Sequence, residues 1–293
     1  MSHSFIRNFG FVIAFFAIIF ATTSCNKTDV LPAYLQIDTV TLNTSLSEGS
    51  ASHLIESVWL YVNSEPLGVY ELPATVAVLA EGTNDIVILP SIKNNGISNT
   101  RITYPFYQGV KETVELSPLN TTTVNFETNY IDQTVFAFVT DFEVSNNFEI
   151  AAENSAPFEV INETDLVFEG TRSGAVYLNE IDTFFQIKTD VGYLLPDQNY
   201  PVYLEMNYRC SQSFQVLLRA SNLQGASIIW SQLYVGKKET WNKIYIELTE
   251  TATDLNQQDF SIFEILLQGE LEDSLETAYF LSLIHISEPT RHR

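Results

Sequence analysis

Pro201-Val202-Tyr203-Leu204-Glu205-Met206-Asn207-Tyr208-Arg209-Cys210 alternates its side chains, residue by residue, between two sets. In an extended chain successive side chains point to opposite faces, so Val202, Leu204, Met206 and Tyr208 share one face and Tyr203, Glu205, Asn207 and Arg209 the other. After a short turn Phe214 to Ala220 repeats the pattern, with Phe214, Val216 and Leu218 on the apolar side and Gln215 and Arg219 on the polar side. Two strands with one face each to bury predict antiparallel sheet packed on a second sheet.

Outward from this pair, period-two runs occur at Val135–Val139, 168–178, 184–187, 226–235, 241–249 and 260–268, with a loop after Asp141-Phe142-Glu143. Some eight short strands separated by turn residues predict a jelly-roll β-sandwich over residues 135–280. Residues 131–134 form a short junction. Before it, Ser57–Val62 and the turn-forming Asn63-Ser64-Glu65-Pro66-Leu67-Gly68 read as strand and turn, and Asn94-Asn95-Gly96 is a strong hairpin signal. Further strands at 85–89, 101–107, 111–116 and 121–126, with no helical period, predict a small β-sandwich over residues 37–130. The fold class is therefore all-β: a small N-terminal sandwich followed by a jelly roll. Tyr104-Pro105-Phe106-Tyr107 is either core or an exposed aromatic patch, and Trp230 and Trp241 are either core plugs or ligand platforms.

Both ends of the chain are set apart from this pattern. Residues 1–25 carry one cation, Arg7, an apolar run from Phe11 to Ala21 too short to span a bilayer, and then Thr22-Thr23-Ser24-Cys25, the layout of a secretory signal. Residues 26–36 read as a polar linker. Thr22-Thr23-Ser24-Cys25 resembles the lipobox of bacterial outer-envelope lipoproteins, which implies that Cys25 becomes the acylated first residue; an ordinary cleaved signal is the alternative. The resemblance implies membrane attachment through lipid and a place in the cell envelope, on the outer membrane at its periplasmic or surface face. At the other end, Leu281-Ser282-Leu283-Ile284-His285-Ile286-Ser287-Glu288-Pro289-Thr290-Arg291 resembles the translation of a transposase-type sequencing adapter. Residues 281–293 are therefore expected to be a non-native tail, with the jelly roll cut short at its last strand.

The formal net charge is −22, and it becomes slightly more negative without the two terminal segments. A chain so acidic has no basic stripe for a polyanion, which excludes nucleic acid as a partner. Apolar residues make up 45% of the chain, with 20 Phe and 14 Tyr, enough to build packed cores. Cys25 and Cys210 are the only cysteines, so no disulfide framework holds the domains. Without the terminal segments His53 is the sole histidine, which leaves no catalytic triad and no zinc site, and the sequence carries no Gly-rich phosphate loop on a strand-to-helix turn. A carboxylate pair of the glycosidase kind is the one catalytic arrangement that the composition leaves open.

Two resemblances extend the fold assignment. The phrase Val58-Trp59-Leu60-Tyr61-Val62, Leu67-Gly68, Leu72-Pro73-Ala74-Thr75, Gly82 and Ile86-Val87-Ile88 resembles PEGA-type Ig-like surface domains, which implies a spacer or docking module. Asp141-Phe142-Glu143, Gly170, Ser173-Gly174 and Trp241 to Leu248 resemble galactose-binding-like jelly rolls that serve as carbohydrate-binding modules. That resemblance implies a non-catalytic domain, no cofactor beyond a structural calcium ion for which Glu143 is the matching ligand, and a glycan partner; an envelope protein is the alternative partner. If the polar set of the two opening strands lies on a ligand face, Tyr203 would stack on a sugar while Glu205, Asn207, Arg209, Gln215 and Arg219 bond to its hydroxyls. The alternative is an ordinary solvated sheet face.

Overall fold

Alternation along the strands builds two β-sandwiches in series. The structure, a computed structural model, describes residues 31–45, 47–198, 200–272 and 276–289. Cys25 and the signal therefore lie outside the described residues. The first sandwich contains β1 (Ala33–Asn43), β2 (Ser57–Val62), β3 (Glu65–Glu71), β4 (Ala74–Val78), β5 (Gly82–Lys93), β6 (Arg101–Thr103), β7 (Val110–Leu116) and β8 (Thr121–Asn129). One sheet runs β4-β1-β8, with β1 and β8 parallel; the other runs β3-β2-β5-β6, with β7 also on β5. Leu35, Ile37 and Val40 of β1 pack against Val58, Leu60, Ile86 and Ile88 of the facing sheet.

Two expectations are corrected here. The linker does not reach residue 36, because Ala33, Leu35 and Ile37 already alternate into the core and start β1. The turn after β2 is only Asn63-Ser64, both at positive φ, which lets β3 begin at Glu65. Pro66 is tolerated there because β3 is an edge strand, where an absent N–H costs no ladder bond.

The second sandwich contains β9 (Thr134–Thr140), β10 (Phe148–Ile150), β11 (Phe158–Ile161), β12 (Ser173–Leu178), β13 (Phe184–Thr189), β14 (Tyr193–Leu194), β15 (Tyr203–Cys210), β16 (Phe214–Ser221), β17 (Ser227–Val235), β18 (Lys238–Glu247), α1 (Thr249–Gln257), β19 (Ile262–Glu270) and β20 (Thr277–Pro289). One sheet has the order β11-β12-β20-β15-β18 with β9 on β20, and we call it the seam sheet. The other, the open sheet, has the order β10-β13-β19-β16-β17 with β14 on β19. Two facing sheets with crossovers between them make the jelly-roll type of sandwich, as expected. Its core holds Val202, Leu204, Met206 and Tyr208 from one sheet and Phe214, Val216, Leu218, Ile265 and Leu267 from the other. The inward set read from the sequence is thus the inward set of the fold.

Three features depart from expectation. β10 and β11 occupy what was read as loop, since each is too short to show a period. Residues 249–257 form a helix whose Ala252 and Leu255 close one end of the core. The place expected to be empty at the end of the chain is filled: β20 runs unbroken through residue 281 to Pro289 and pairs with β12, β15 and β9. Leu281, Ile284 and Ile286 join the core while Ser282, His285 and Ser287 are buried outside it, an alternation that is regular from Ile284 to Ser287 and shifts register against β15 between Leu281 and Ile284, and that suits a strand whatever the origin of the segment.

Ser173-Gly174 has a packing cause. A Cβ on Gly174 would stand 2.5 Å from Phe158 Cζ and 3.1 Å from Phe142 Cζ, both in the core. Gly174→Ala should therefore lower unfolding stability by about 1–3 kcal/mol, the usual cost of overpacking, as read from urea midpoints; an unchanged midpoint would contradict this packing.

Candidate functional site

The six residues proposed to form one ligand face lie on two faces that point away from each other. β15 belongs to the seam sheet and β16 to the open sheet, so their outward sets are separated by the whole thickness of the sandwich. Tyr203, Glu205 and Asn207 are buried, because the outer face of the seam sheet packs on the first sandwich. That corrects the expectation for these three: they form a seam between the two sandwiches. Arg209 lies further along the same strand, with its guanidinium 5.5 Å from the Phe280 ring centroid. Gln215 and Arg219 alone fall on the open sheet.

The seam is built around a carboxylate. Glu205 is 0% exposed. Tyr104 donates its hydroxyl to Oε1 at 2.6 Å, Tyr130 donates at 3.1 Å, and Lys243 Nζ reaches Oε2 at 2.8 Å. His285 Nε2 at 2.9 Å and the Ser287 hydroxyl at 3.3 Å complete the shell. Tyr104, Tyr130 and Lys243 lie outside the adapter-like segment; His285 and Ser287 lie within it. Burial alone would raise the Glu205 pKa, but the charges and hydrogen bonds of His285 and Lys243 outweigh it and hold the carboxyl well below the usual range. Burial pushes the hydroxyls of Tyr104, Tyr107 and Tyr130 well above theirs, so they stay protonated, and Tyr104 and Tyr130 donate to the carboxylate.

Around this centre the two sandwiches are stitched by further bonds. Lys243 Nζ donates to the Ser52 carbonyl at 2.8 Å, and the Ser52 hydroxyl donates to Asn207 Oδ1 at 2.9 Å. Tyr245 accepts the Leu54 N–H at 3.0 Å and pairs with the Tyr107 hydroxyl at 2.9 Å. Asn94-Asn95-Gly96 opens the expected hairpin connection between β5 and β6 and also clips the first sandwich to β18: the Asn95 N–H donates to the Tyr245 carbonyl, and Asn94 Nδ2 donates to Glu247. Tyr104 packs on Phe106, Tyr107, Tyr203 and Tyr245, which settles the aromatics Tyr104, Phe106 and Tyr107 as buried. His53 also sits here, its pKa lowered by burial and by Lys243. No solvent reaches Glu205, so the constellation holds structure together and has no access for substrate.

Glu143 does not fit a cation. Its Oε1 accepts the N–H groups of Thr171 and Arg172 at 2.7 and 2.9 Å, and its Oε2 accepts the Thr171 hydroxyl at 2.6 Å. These donors, led by the Thr171 hydroxyl, hold its pKa low. Gly170, at φ +70°, leaves no room for a Cβ beside that carboxylate, so Glu143 and Gly170 form one braced turn. Among the described residues no group of three or more His, Cys, Asp or Glu is placed to hold a metal ion.

The open sheet is where side chains meet solvent in an ordered array. Register places Gln186 of β13, Gln268 of β19, Gln215 of β16 and Tyr234 of β17 in one line across four strands. Gln186 donates to Gln268 at 2.7 Å, Gln215 donates to the Ser231 hydroxyl at 2.5 Å, and Tyr234 is 72% exposed. Beside this line runs an ion network: Lys188 bridges Glu149 at 2.7 Å and Glu264 at 2.5 Å, and Arg219 meets the other oxygen of Glu264 at 3.1 Å. Burial would lower the Lys188 pKa, but the two carboxylates outweigh it and raise it, so the Lys188 ammonium stays charged. Two depressions of about 210 and 410 Å³ flank the line and share Glu270. Sequence reading missed Gln186, Lys188, Tyr234, Glu264 and Gln268, since their assembly depends on β19 lying between β13 and β16. Of the tryptophans, Trp241 is half-buried against Phe168 and Trp230 is exposed.

No family model and no curated protein matches the sequence. Among solved structures, the chain is similar to the family 11 carbohydrate-binding module from Clostridium thermocellum in complex with a β-1,3-1,4-mixed-linked tetrasaccharide, at 9% identity and TM-score 0.38 over 54% of this chain and 98% of that one. It is also similar to TmCBM61 in complex with β-1,4-galactotriose, at 11% identity and TM-score 0.32 over 50% of this chain and 89% of that one. A third likeness is to tailspike protein 4 of bacteriophage CBA120, at 7% identity and TM-score 0.35 over 54% of this chain and 19% of that one. The architecture rests on the strand order given above.

A carboxyl whose folded pKa is depressed adds stability above its unfolded value, near 4.3, and loses it as pH falls through and below that value. The unfolding free-energy difference between the wild type and Glu205→Gln should therefore shrink as pH falls below about 4 in urea titrations, relative to its value near pH 5. A difference that does not change with pH would refute the assigned role of the charge.

Proposed function

We propose that the chain is a non-catalytic, lipid-anchored binding module of the cell envelope whose second sandwich contacts glycan through the open sheet. One observation carries this reading: the seam sheet is sealed by the first sandwich, while the open sheet presents a row of amides and an exposed tyrosine at fixed register. Amides donate and accept at once, as sugar hydroxyls do, and an aromatic ring suits a sugar's C–H face. The non-catalytic part is supported by the state of two carboxylates, since Glu205 has no route to solvent and both oxygens of Glu264 are held by cations.

A second reading, a scaffold that docks on another envelope protein, is favoured by a different surface. Trp59 of β2 and Val69 of β3 are cross-strand partners on the outer face of the first sandwich, and both are partly exposed beside Leu67. Attachment through Cys25 fits either reading and places the chain on a membrane of the envelope.

Affinity electrophoresis of the purified chain across a broad panel of soluble polysaccharides should show retardation by at least one of them. No retardation by any, together with capture of a defined partner from envelope extract that is lost in Trp59→Ala, would favour the scaffold instead. In fractionation, Cys25→Ser should move the protein out of the membrane pellet; an unchanged pellet would remove the anchor from the proposal.

A further inference from the structure

Resting on the glycan reading above, we infer that the occupant of the open sheet is an uncharged glycan chain that lies across the strands, along Gln186, Gln268, Gln215 and Tyr234. Direction comes from register. The four residues stand on neighbouring strands at paired positions, so the row crosses three inter-strand gaps of about 4.8 Å and spans roughly 14 Å. That length holds several linked sugars and exceeds a single one. The side chains are already ordered before any ligand arrives: Gln186 is tied to Gln268 and Gln215 to Ser231, which reduces the rotamer entropy lost on binding. Tyr234 at the end of the row offers an aromatic face where a terminal ring can stack.

Charge decides the class of glycan. The strands of the open sheet place two cations on its outer face, Lys188 and Arg219, and both are held by Glu264, with Glu149 on Lys188 as well. The two cations and two carboxylates of that network cancel. Glu270 lines both depressions beside the row, and Glu272 lines one of them. A uronate or sulfated chain would therefore meet amides and acids on these strands, with each cation already occupied, while a neutral chain meets donors and acceptors that it can satisfy without desolvating a charge of its own.

The full chain would be run in affinity gels containing neutral polysaccharides (mixed-linkage β-glucan, galactan, xylan, mannan) and anionic ones (polygalacturonate, heparin), each at low and high salt. Expected is retardation by at least one neutral polysaccharide and by neither anionic one, with little change in salt, since screening acts on charges alone. Gln268→Ala should weaken the neutral interaction about tenfold or more, the scale of one or two lost hydrogen bonds, and should leave the thermal unfolding midpoint unchanged. Glu264→Gln, which frees Arg219 while Lys188 keeps Glu149 and leaves the network one positive charge in excess, should create salt-sensitive retardation by polygalacturonate. Retardation of the wild type by anionic polymers alone, or neutral binding that survives both Gln268→Ala and Gln215→Ala, would overturn the inference while leaving glycan binding itself in place. Absence of retardation by every polymer would overturn glycan binding and this inference together.

Discussion

The whole arrangement depends on one buried carboxylate. Glu205 stands where the two sandwiches meet, and an ionised carboxylate out of water is tolerated only when it is paired and fully hydrogen-bonded. Its partners come from both sides: Tyr104 and Tyr130 from the first sandwich, Lys243 from the second. Separating the sandwiches would leave that ion pair stripped of its tyrosine donors and Lys243 without the Ser52 carbonyl. A buried pair of this kind contributes little net stability by itself, but a wrong alignment leaves a charge uncompensated, so it selects one orientation. The aromatic ring cluster around Tyr104 and the Asn94-Asn95 clip add packing and backbone bonds to the same alignment.

This constraint assigns the two faces of the second sandwich. The seam sheet carries the more chemical-looking residues, an acid, a base and tyrosines, and they are spent on holding two domains together. The open sheet carries plainer residues in better order. Its glutamines and its neutralised ion network are fixed by neighbours on the same face, and a surface preorganised in this way is suited to recognition more than to reaction.

Much of the fold was legible in the sequence because a period of two needs only local information. The inward sets of β15 and β16 were read correctly residue by residue, as was the strand at Ser57–Val62. What the period cannot tell is what covers the other face. Tyr203, Glu205 and Asn207 alternate as a solvated face would, yet a second domain lies on them. Pairing across distance was equally hidden: Gln186 and Gln268 are far apart in sequence and adjacent in the sheet. Asn94-Asn95-Gly96 has turn chemistry that was recognised, but its use as a clip depends on β18, some 150 residues on. Residues 281–289 were set aside for their resemblance to an adapter, and their alternation nevertheless places them in the sheet.

The central claim is that the seam makes the two sandwiches a single body. The chain has three tryptophans, Trp59 in the first sandwich and Trp230 and Trp241 in the second, so each half can be given its own reporter. Urea unfolding of two variants, one keeping only Trp59 and the other keeping only Trp230 and Trp241, would be followed by fluorescence alongside far-ultraviolet circular dichroism. The account predicts one cooperative transition, with the midpoint separation between reporters removed once each variant's own stability is taken from its dichroism. Two separate transitions, with the Trp59 half melting independently of the other, would contradict it.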